Sequence, residues 1–167
     1  DALNAEEVLA LFAAKKRHLD NPPIIHIANI NQVYQLAKEV PAKAEALMKH
    51  FWPGPLTLIF KRSETIPKET VAGLDTIAIR MPKHNVALAL IRQSRRPIAA
   101  PSANLSGKPS PTTAKHVYDD LNGRMDAILD AGPTSIGVES TVLDLSVDPP
   151  LVLRPGGTSF EEIKKII

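Results

Sequence analysis

Residues 76–111 read TIAIRMPKHNVALALIRQSRRPIAAPSANLSGKPSP, and this stretch decides the fold class. The alternating apolar segment 76–80 predicts a strand, the apolar spacing over about 84–94 predicts a helix, and the short apolar segment 97–100 predicts a buried strand. Strands that alternate with helices in this way are typical of α/β domains. The long polar loop 101–111 would then lie beyond the end of a strand, where open α/β sheets bind their ligands.

The segments on either side continue the mixture of helices and strands. A capped helix is predicted from Asn4, with an apolar stripe and a basic end at Lys15-Lys16-Arg17. The other predicted elements are strands at 23–27, 56–60, 126–130, 139–145 and 150–154, and helices at about 31–39, 41–50, 113–122 and from Ser159 onward. We therefore predict one α/β domain over residues 1–167, with a mixed sheet of about seven strands and flanking helices.

The composition excludes several classes of chemistry. The 167 residues include no Cys, which excludes disulfides, thiolate nucleophiles and Cys-ligated metal sites. The hydrophobic content of 44% is typical of a folded chain, and no apolar run approaches the ~20 residues of a membrane span. The balance of 20 Lys+Arg against 18 Asp+Glu permits a nucleic-acid partner without requiring one.

The common phosphate-binding and catalytic signatures are missing from the sequence. It contains no Walker A loop, no Gly-x-Gly-x-x-Gly and no Gly-x-Ser-x-Gly elbow. The five His residues are scattered without metal-ligand spacing, so we predict no protein-held metal site. The candidates for ligand binding are instead short polar and basic side chains at predicted loops and strand ends.

The loop after Ala100 is the main candidate for a binding site. Ser102, Asn104 and Ser106 alternate along it, and hydroxyl, amide and exposed backbone N–H groups can surround anionic oxygens. The alternative interpretation is a Pro/Ser-rich connector with capping serines.

Four further features fit the same interpretation, and each has an ordinary structural alternative. Lys15 and Arg17 suit a polyphosphate, or they complement the negative end of a helix. Arg154 and Ser140 either face a ligand or belong to plain strand-end turns. His26 stands alone in an apolar strand, either near a ligand or as a satisfied core histidine. Together these features favour the binding and positioning of a phosphate-rich ligand over nucleophilic catalysis.

Five ordered motifs give the sequence a specific resemblance. They are Phe51-Trp52-Pro53-Gly54-Pro55-Leu56-Thr57-Leu58, Ile79-Arg80-Met81-Pro82, Pro101-Ser102-Ala103-Asn104-Leu105-Ser106-Gly107, Gly137-Val138-Glu139-Ser140-Thr141-Val142 and Leu153-Arg154-Pro155-Gly156. These motifs resemble those of the YrdC-like threonylcarbamoyl-AMP synthase family, and Lys15-Lys16-Arg17 resembles its Lys-x-Arg motif. The match covers nearly the whole chain.

The resemblance implies a fold and a reaction. The fold would be a twisted α/β domain with a large, positively charged concave face. The enzyme would be a nucleotidyltransferase that forms threonylcarbamoyl-AMP and pyrophosphate from L-threonine, bicarbonate and ATP. Mg²⁺ would accompany ATP, held mainly by the phosphates and water. The product would serve the threonylcarbamoyladenosine modification of tRNA in the cytoplasm. The possible partners would be tRNA or tRNA-modification proteins, and the protein would not associate with a membrane.

The resemblance also implies roles for individual residues. Lys15 and Arg17 would hold the ATP phosphates and act in catalysis, and His26 and Thr57 would lie near the threonine end. The residues expected to line the nucleotide and adenylate site are Ser102, Asn104, Ser140 and Arg154.

The sequence departs from the family pattern in two places. The family has an upstream Pro-Thr-x-Thr-x-Tyr-Gly-Leu segment that serves the amino-acid pocket, and we expect this sequence to be N-terminally incomplete relative to the family. His18 stands where the family usually has proline.

Two other functions stay open on the sequence. One is an RNA- or tRNA-binding or regulatory relative without synthase activity, which the absent threonine-binding segment and the mildly basic balance would favour. The other is a carbamoyl-transferring domain like that of hydrogenase-maturation proteins, although those carry Cys-rich zinc segments and this chain has no Cys.

Overall fold

A computed structural model describes residues 1–167 as six strands in one sheet with helices packed on it. The strands are β1 (Ile25–His26), β2 (Leu56–Lys61), β3 (Thr76–Arg80), β4 (Ile98–Ala99), β5 (Thr141–Asp144) and β6 (Leu151–Arg154). Their order across the sheet is β4-β1-β3-β2-β5-β6. The pairs β1/β3 and β2/β5 are parallel and the other three are antiparallel, so the predicted mixed sheet is confirmed.

Six α-helices surround the sheet. They are α1 (Ala5–Lys15), α2 (Val33–Leu36), α3 (Ala42–Phe51), α4 (Asn85–Ser94), α5 (Ala114–Leu121) and α6 (Phe160–Lys164), and a 3-10 turn at Ile30–Gln32 precedes α2. Local side chains set several helix starts. The Asn4 amide oxygen accepts from the backbone N–H groups of Glu6 and Glu7 at α1, and Ser159 forms a capping box with Glu162 at α6. No helix has the length and apolar character needed to cross a membrane.

The two faces of the sheet have different roles because side chains alternate along each strand. One face carries Leu56, Leu58, Phe60, Ile77, Ile79 and Leu143, which belong to a cluster of 20 buried residues. Helices α2, α3 and α6 cover this face with side chains such as Leu36, Leu47 and Ile163. The opposite face carries Thr57, Ala78, Arg80 and Val142, and we call it the open face of the sheet.

A β-bulge in β6 decides which face Arg154 occupies. Val142 lies opposite Arg154 and Leu143 lies opposite Val152, so Leu153 is an extra residue without a partner on β5. In a regular strand Val152 and Arg154 would point to the same side. The extra residue instead places Arg154 on the open face, level with Val142.

The predicted strand at 126–130 is wrong. Of these residues only Ile128 is even partly buried, and Leu129 is 67% exposed. The segment pairs with neither edge strand of the sheet, β4 or β6, and its side chains are mostly exposed, so it stays irregular.

The predicted helix at about 31–39 ends early, at Leu36. The next residue, Ala37, is extended and bridges Arg62, and the N–H of Lys38 donates to the carbonyl of Lys61. Residues 37–38 therefore pair with the end of β2 instead of extending the helix. The strands predicted at 23–27, 97–100 and 139–145 are also shorter than expected, as given above.

Candidate active site

The ends of four strands place polar side chains together at one end of the open face. Because β2 and β5 run opposite to β3 and β6, the starts of the first two lie beside the ends of the other two. Thr57 and Ser140, both buried, share a hydrogen bond of 2.7 Å between their hydroxyls. The guanidinium of Arg154 donates to the Ser140 carbonyl at 2.7 and 3.1 Å and to its hydroxyl at 3.2 Å. Three predicted site residues are thus in direct contact.

Arg80, at the end of β3, is a site residue that the residue-by-residue sequence analysis did not single out. Its Nε donates to the Gly54 carbonyl at 2.9 Å, and its two Nη groups have no hydrogen-bond partner in the protein. Burial, and then the positive charge of Arg154, lower the pKa of Arg80. Two guanidinium groups therefore lie close enough to interact, and neither forms a hydrogen bond to a side-chain carboxylate, which suits an anionic ligand. The signal in the sequence that could have identified Arg80 is a charged residue directly after the apolar segment Thr76–Ile79.

His26 lies beside Arg80, because the parallel register pairs these two residues. Burial and the charge of Arg80 lower its pKa from 6.5 to about 4, against a smaller opposite effect of the carbonyls of Ile24 and Ile98. The ring is therefore neutral at pH 7, and its Nδ1 atom is buried without a hydrogen-bond partner. One ring nitrogen of His26 is therefore left without a partner beside Arg80, and its place near a ligand stays a prediction.

We expect His26 to make the fold sensitive to mild acid. The folded protein keeps the imidazole neutral down to about pH 4, whereas the unfolded chain takes up its proton near pH 6.5. This contribution to stability is complete above pH 6.5 and is lost as the pH falls towards 4. Between pH 7 and 5 the free energy of unfolding should fall by about 2 kcal/mol through this group.

Denaturant unfolding of wild type and His26→Gln at both pH values tests this expectation. The variant should lose that part of the pH dependence, whereas the exposed control His18→Gln should keep it. An identical pH dependence in wild type and His26→Gln would contradict the assigned protonation state.

Lys15 is buried against the polar loop, and its predicted role at the ATP phosphates stays a prediction. Its side chain is only 3% exposed, and its Nζ donates to the carbonyl of Ser102 and, at 2.5 Å, to that of Asn104. Burial and the charge of Arg17 lower its pKa, and the carboxylate of Asp120 has the opposite effect. The ammonium thus contacts the polar loop 101–111, and not open solvent where a phosphate would enter.

The side chain of Asn104 also points into the loop that carries it. Its Nδ2 donates to the carbonyls of Leu105 and Lys108 at 2.9 and 2.8 Å, and its Oδ1 is buried without a partner. Ser102, in contrast, is exposed. Of the two, Ser102 is the residue whose side chain is available to a ligand.

Arg17 combines fixed and free donors. Its Nε and Nη2 donate to the carbonyl and side-chain oxygen of Asn21 at 2.8 and 2.7 Å, and Nη2 also donates to the Pro22 carbonyl. Burial lowers its pKa. The Nη1 group has no protein partner, so the guanidinium is held in place with donors left for an anion.

The polar loop and the strand-end group are linked through Ser110. Its hydroxyl donates to the Glu139 carboxylate at 2.7 Å, one residue before Ser140, and this bond lowers the pKa of Glu139. A cavity of about 290 Å³ lies between the loop and the segment 128–134, lined among others by Ser102, Ala103 and Leu129. The structure thus places a cavity, the loop and the strand ends in one continuous region.

The side chains offer no ready metal site. No group of three or more His, Asp or Glu is close enough together to hold a metal ion, and the charged groups described above are mostly cationic. These donors fit phosphate or carboxylate oxygens and do not fit a protein-bound metal ion.

Comparison with known proteins gives consistent matches. A family model for Sua5, YciO and YrdC proteins, described as "Telomere recombination", matches residues 1–156. The threonylcarbamoyl-AMP synthase of Pyrococcus abyssi is 58% identical over all of this chain and 49% of its own length, and that of Bacillus subtilis is 55% identical over the same shares. The crystal structure of P. abyssi Sua5 complexed with L-threonine matches with a TM-score of 0.98 and 57% identity, over all of this chain and 49% of that one. The chain therefore spans about half the length of these relatives.

Proposed function

Because this chain belongs to the Sua5/YciO/YrdC family, we propose that it catalyses the formation of threonylcarbamoyl-AMP and pyrophosphate from L-threonine, bicarbonate and ATP. The observation that carries the proposal is the convergence of Arg80 and Arg154 on the Thr57–Ser140 pair, next to the polar loop. The product would serve threonylcarbamoyladenosine modification of tRNA in the cytoplasm. The relatives named threonylcarbamoyl-AMP synthase support this choice.

The strand-end group suits the amino acid. The free Nη groups of Arg80 can bind a carboxylate through two parallel N–H donors. The neutral ring of His26 leaves a lone pair or an N–H for the amine or hydroxyl. Thr57 lies next to them and fixes Ser140 through its hydroxyl. P. abyssi Sua5 was crystallised with L-threonine, and we infer that this end of the open face binds the same amino acid.

The polar loop and its cavity suit the nucleotide. Arg17 would contact the phosphates through Nη1, and the exposed Ser102 would line the route to the cavity of about 290 Å³. That volume is close to the lower end of the range for small-ligand sites. Arg154, which donates to the carbonyl and the hydroxyl of Ser140, would meet the α-phosphate. Asn104 would contribute through the shape of the loop.

The chemistry needs charge neutralisation more than a nucleophile. The threonine amine combines with bicarbonate to give a carbamate and water. A carbamate oxygen then forms a bond to the α-phosphorus while the bond between that phosphorus and the bridging oxygen breaks, and pyrophosphate leaves with the electron pair. Two anions approach each other, so fixed arginines at the meeting point lower the barrier. Mg²⁺ bound to ATP would add positive charge, held by the phosphates and water because the protein offers no ligand set.

The test is product formation by the purified chain with L-threonine, labelled bicarbonate and ATP. We expect pyrophosphate release that depends on both threonine and bicarbonate, and calorimetric binding of ATP. Binding of tRNA that weakens steeply with salt, without ATP binding or turnover, would contradict the proposal and favour the RNA-binding alternative. Turnover of carbamoyl phosphate without threonine would favour the carbamoyl-transfer alternative.

Arg17→Ala should lower turnover at least about 100-fold, since loss of one donor to developing charge costs about 3 kcal/mol. The exposed neighbour Lys16 supplies the control, because Lys16→Ala removes a charge without any contact to the loop. Steady-state pyrophosphate release measures both. Similar turnover of Arg17→Ala and wild type would exclude a role of Arg17 at the phosphates.

A further inference from the structure

We propose that Lys15 is a positioning residue, which holds the loop 102–106 in the shape that meets the nucleotide, and that its ammonium does not bind the ATP phosphates. The nucleotide part of this proposal rests on the proposed function. The loop part does not, because it concerns contacts within the protein alone.

The first support is that the Lys15 ammonium is already bound. An ammonium has three N–H donors, and two of them are given to the main-chain carbonyls of Ser102 and Asn104. The side chain is 3% exposed, so its methylene stem is enclosed as well. A phosphate would have to meet the one remaining N–H donor, which this enclosure hardly exposes, or the ammonium would have to break a charge-assisted bond and leave a carbonyl without its donor.

The second support is that Lys15 also holds the loop through its backbone. The N–H of Ser106 donates to the Lys15 carbonyl at 3.1 Å. One residue therefore contacts the loop at three points, at positions 102, 104 and 106. The segment between these positions bends at 103–104 and enters a turn at 106, so three contacts with one residue fix the path of the loop and the direction of its remaining hydroxyl and N–H groups.

The third support is the frame around the contact. Asn104 closes the loop onto the carbonyls of Leu105 and Lys108, and Lys108 forms an ion pair of 2.6 Å with Asp120 on α5. The Asp120 carboxylate favours the charged form of Lys15, whereas burial and Arg17 oppose it. The loop thus lies between α1 and α5, with Lys15 as its attachment to α1 and Asp120 as its attachment to α5.

This arrangement divides the work between the two residues of the Lys-x-Arg motif. The Nη1 group of Arg17 has no protein partner, whereas two of the three N–H donors of Lys15 bind carbonyls of the loop. Loss of Lys15 should therefore act on nucleotide affinity indirectly, through the order of the loop in the absence of any ligand. If Lys15 instead bound the phosphates directly, its loss would weaken nucleotide binding and leave the loop of the free protein unchanged.

The experiment compares wild type, Lys15→Ala, Lys15→Met and the exposed control Lys16→Ala. Hydrogen exchange of residues 102–108 is measured without nucleotide, with attention to the amides of Ser106 and Lys108, which donate to Lys15 and Leu105. We expect exchange of this loop to accelerate at least tenfold in both Lys15 variants and to stay unchanged in Lys16→Ala. ATP affinity by calorimetry should fall at least tenfold in the Lys15 variants only.

Chemical rescue separates positioning from general damage to the fold. n-Propylammonium has the atoms that Lys15→Ala removes beyond Cβ, so it should restore slow exchange of the loop without nucleotide, whereas tetramethylammonium, which lacks N–H donors, should not. Lys15→Met keeps the apolar stem and reports the same loop effect if the alanine variant is poorly folded.

Two results would overturn the proposal. If the loop exchanges in both Lys15 variants at the rate of wild type while ATP binding weakens, Lys15 binds the phosphates directly. Fast exchange that propylammonium leaves unchanged would show that the ammonium contacts do not set the loop. If wild type binds no ATP, the proposed function fails, and the exchange and rescue results still decide the role of Lys15 in the loop.

Discussion

Arg80→Met is expected to reduce threonine-dependent pyrophosphate release by at least about 100-fold. The substitution keeps the length of the side chain and removes its free Nη donors, which we assign to the carboxylate of threonine. Loss of a charged, partly buried donor to an anionic ligand costs about 3 kcal/mol. The same change removes the 2.9 Å bond to Gly54, which should lower the free energy of unfolding by only about 1 kcal/mol.

Arg80→Lys is the matched variant, because it retains the charge but lacks the planar fork that binds a carboxylate bidentately. It should recover little of the lost turnover. The KM for threonine should rise more than the KM for ATP in both variants. An unchanged KM for threonine together with an unchanged kcat would remove Arg80 from the threonine site.

Gly156→Ala should lower the free energy of unfolding by about 3 kcal/mol, which corresponds to a fall in Tm of about 10 °C for a chain of this size. A Cβ at position 156 would lie 2.4 Å from the Glu139 carbonyl oxygen and 2.5 Å from backbone atoms of Ser140 and Thr141. These neighbours are main chain and cannot rotate away. The backbone must shift, and it would carry Ser140 out of contact with Thr57 and Arg154.

Gly137→Ala is the control for this prediction. A Cβ at position 137 would meet no atom within 4 Å, so this variant should keep the Tm of wild type within a degree or two. Thermal unfolding monitored by circular dichroism gives both values, and turnover measured below the transition reports the displacement of Ser140. A Tm for Gly156→Ala equal to that of Gly137→Ala would show that the two segments do not pack as closely as described.

Much of the fold could be predicted because its signals are local. Asn4 caps α1 as its spacing indicates, and the alternation at 76–80 forms β3 as expected. The error at 126–130 arose because an apolar pair, Ile128 with Leu129, resembles the centre of a short strand. Whether such a segment pairs with a sheet depends on contacts between distant parts of the chain, which no local pattern contains.

The site was predicted less completely, for the same physical reason. Ser140 and Arg154 could be proposed from their positions at strand ends, but their mutual contact depends on a bulge and on the neighbouring strand. The burial of Lys15 depends on a loop 87 residues further along the chain. From the sequence alone, a lysine at the end of a helix looks the same whether it faces solvent or a carbonyl.

The extra residue at Leu153 has a consequence for how this part of the protein can change. Because sides alternate residue by residue, the number of residues in β6 sets whether Arg154 serves the ligand or the apolar interior. Removing one residue would bury a cation among Leu143 and its neighbours, while every amino-acid type around it stayed the same. In this strand the count of residues, odd or even, is as much a determinant of chemistry as their identity.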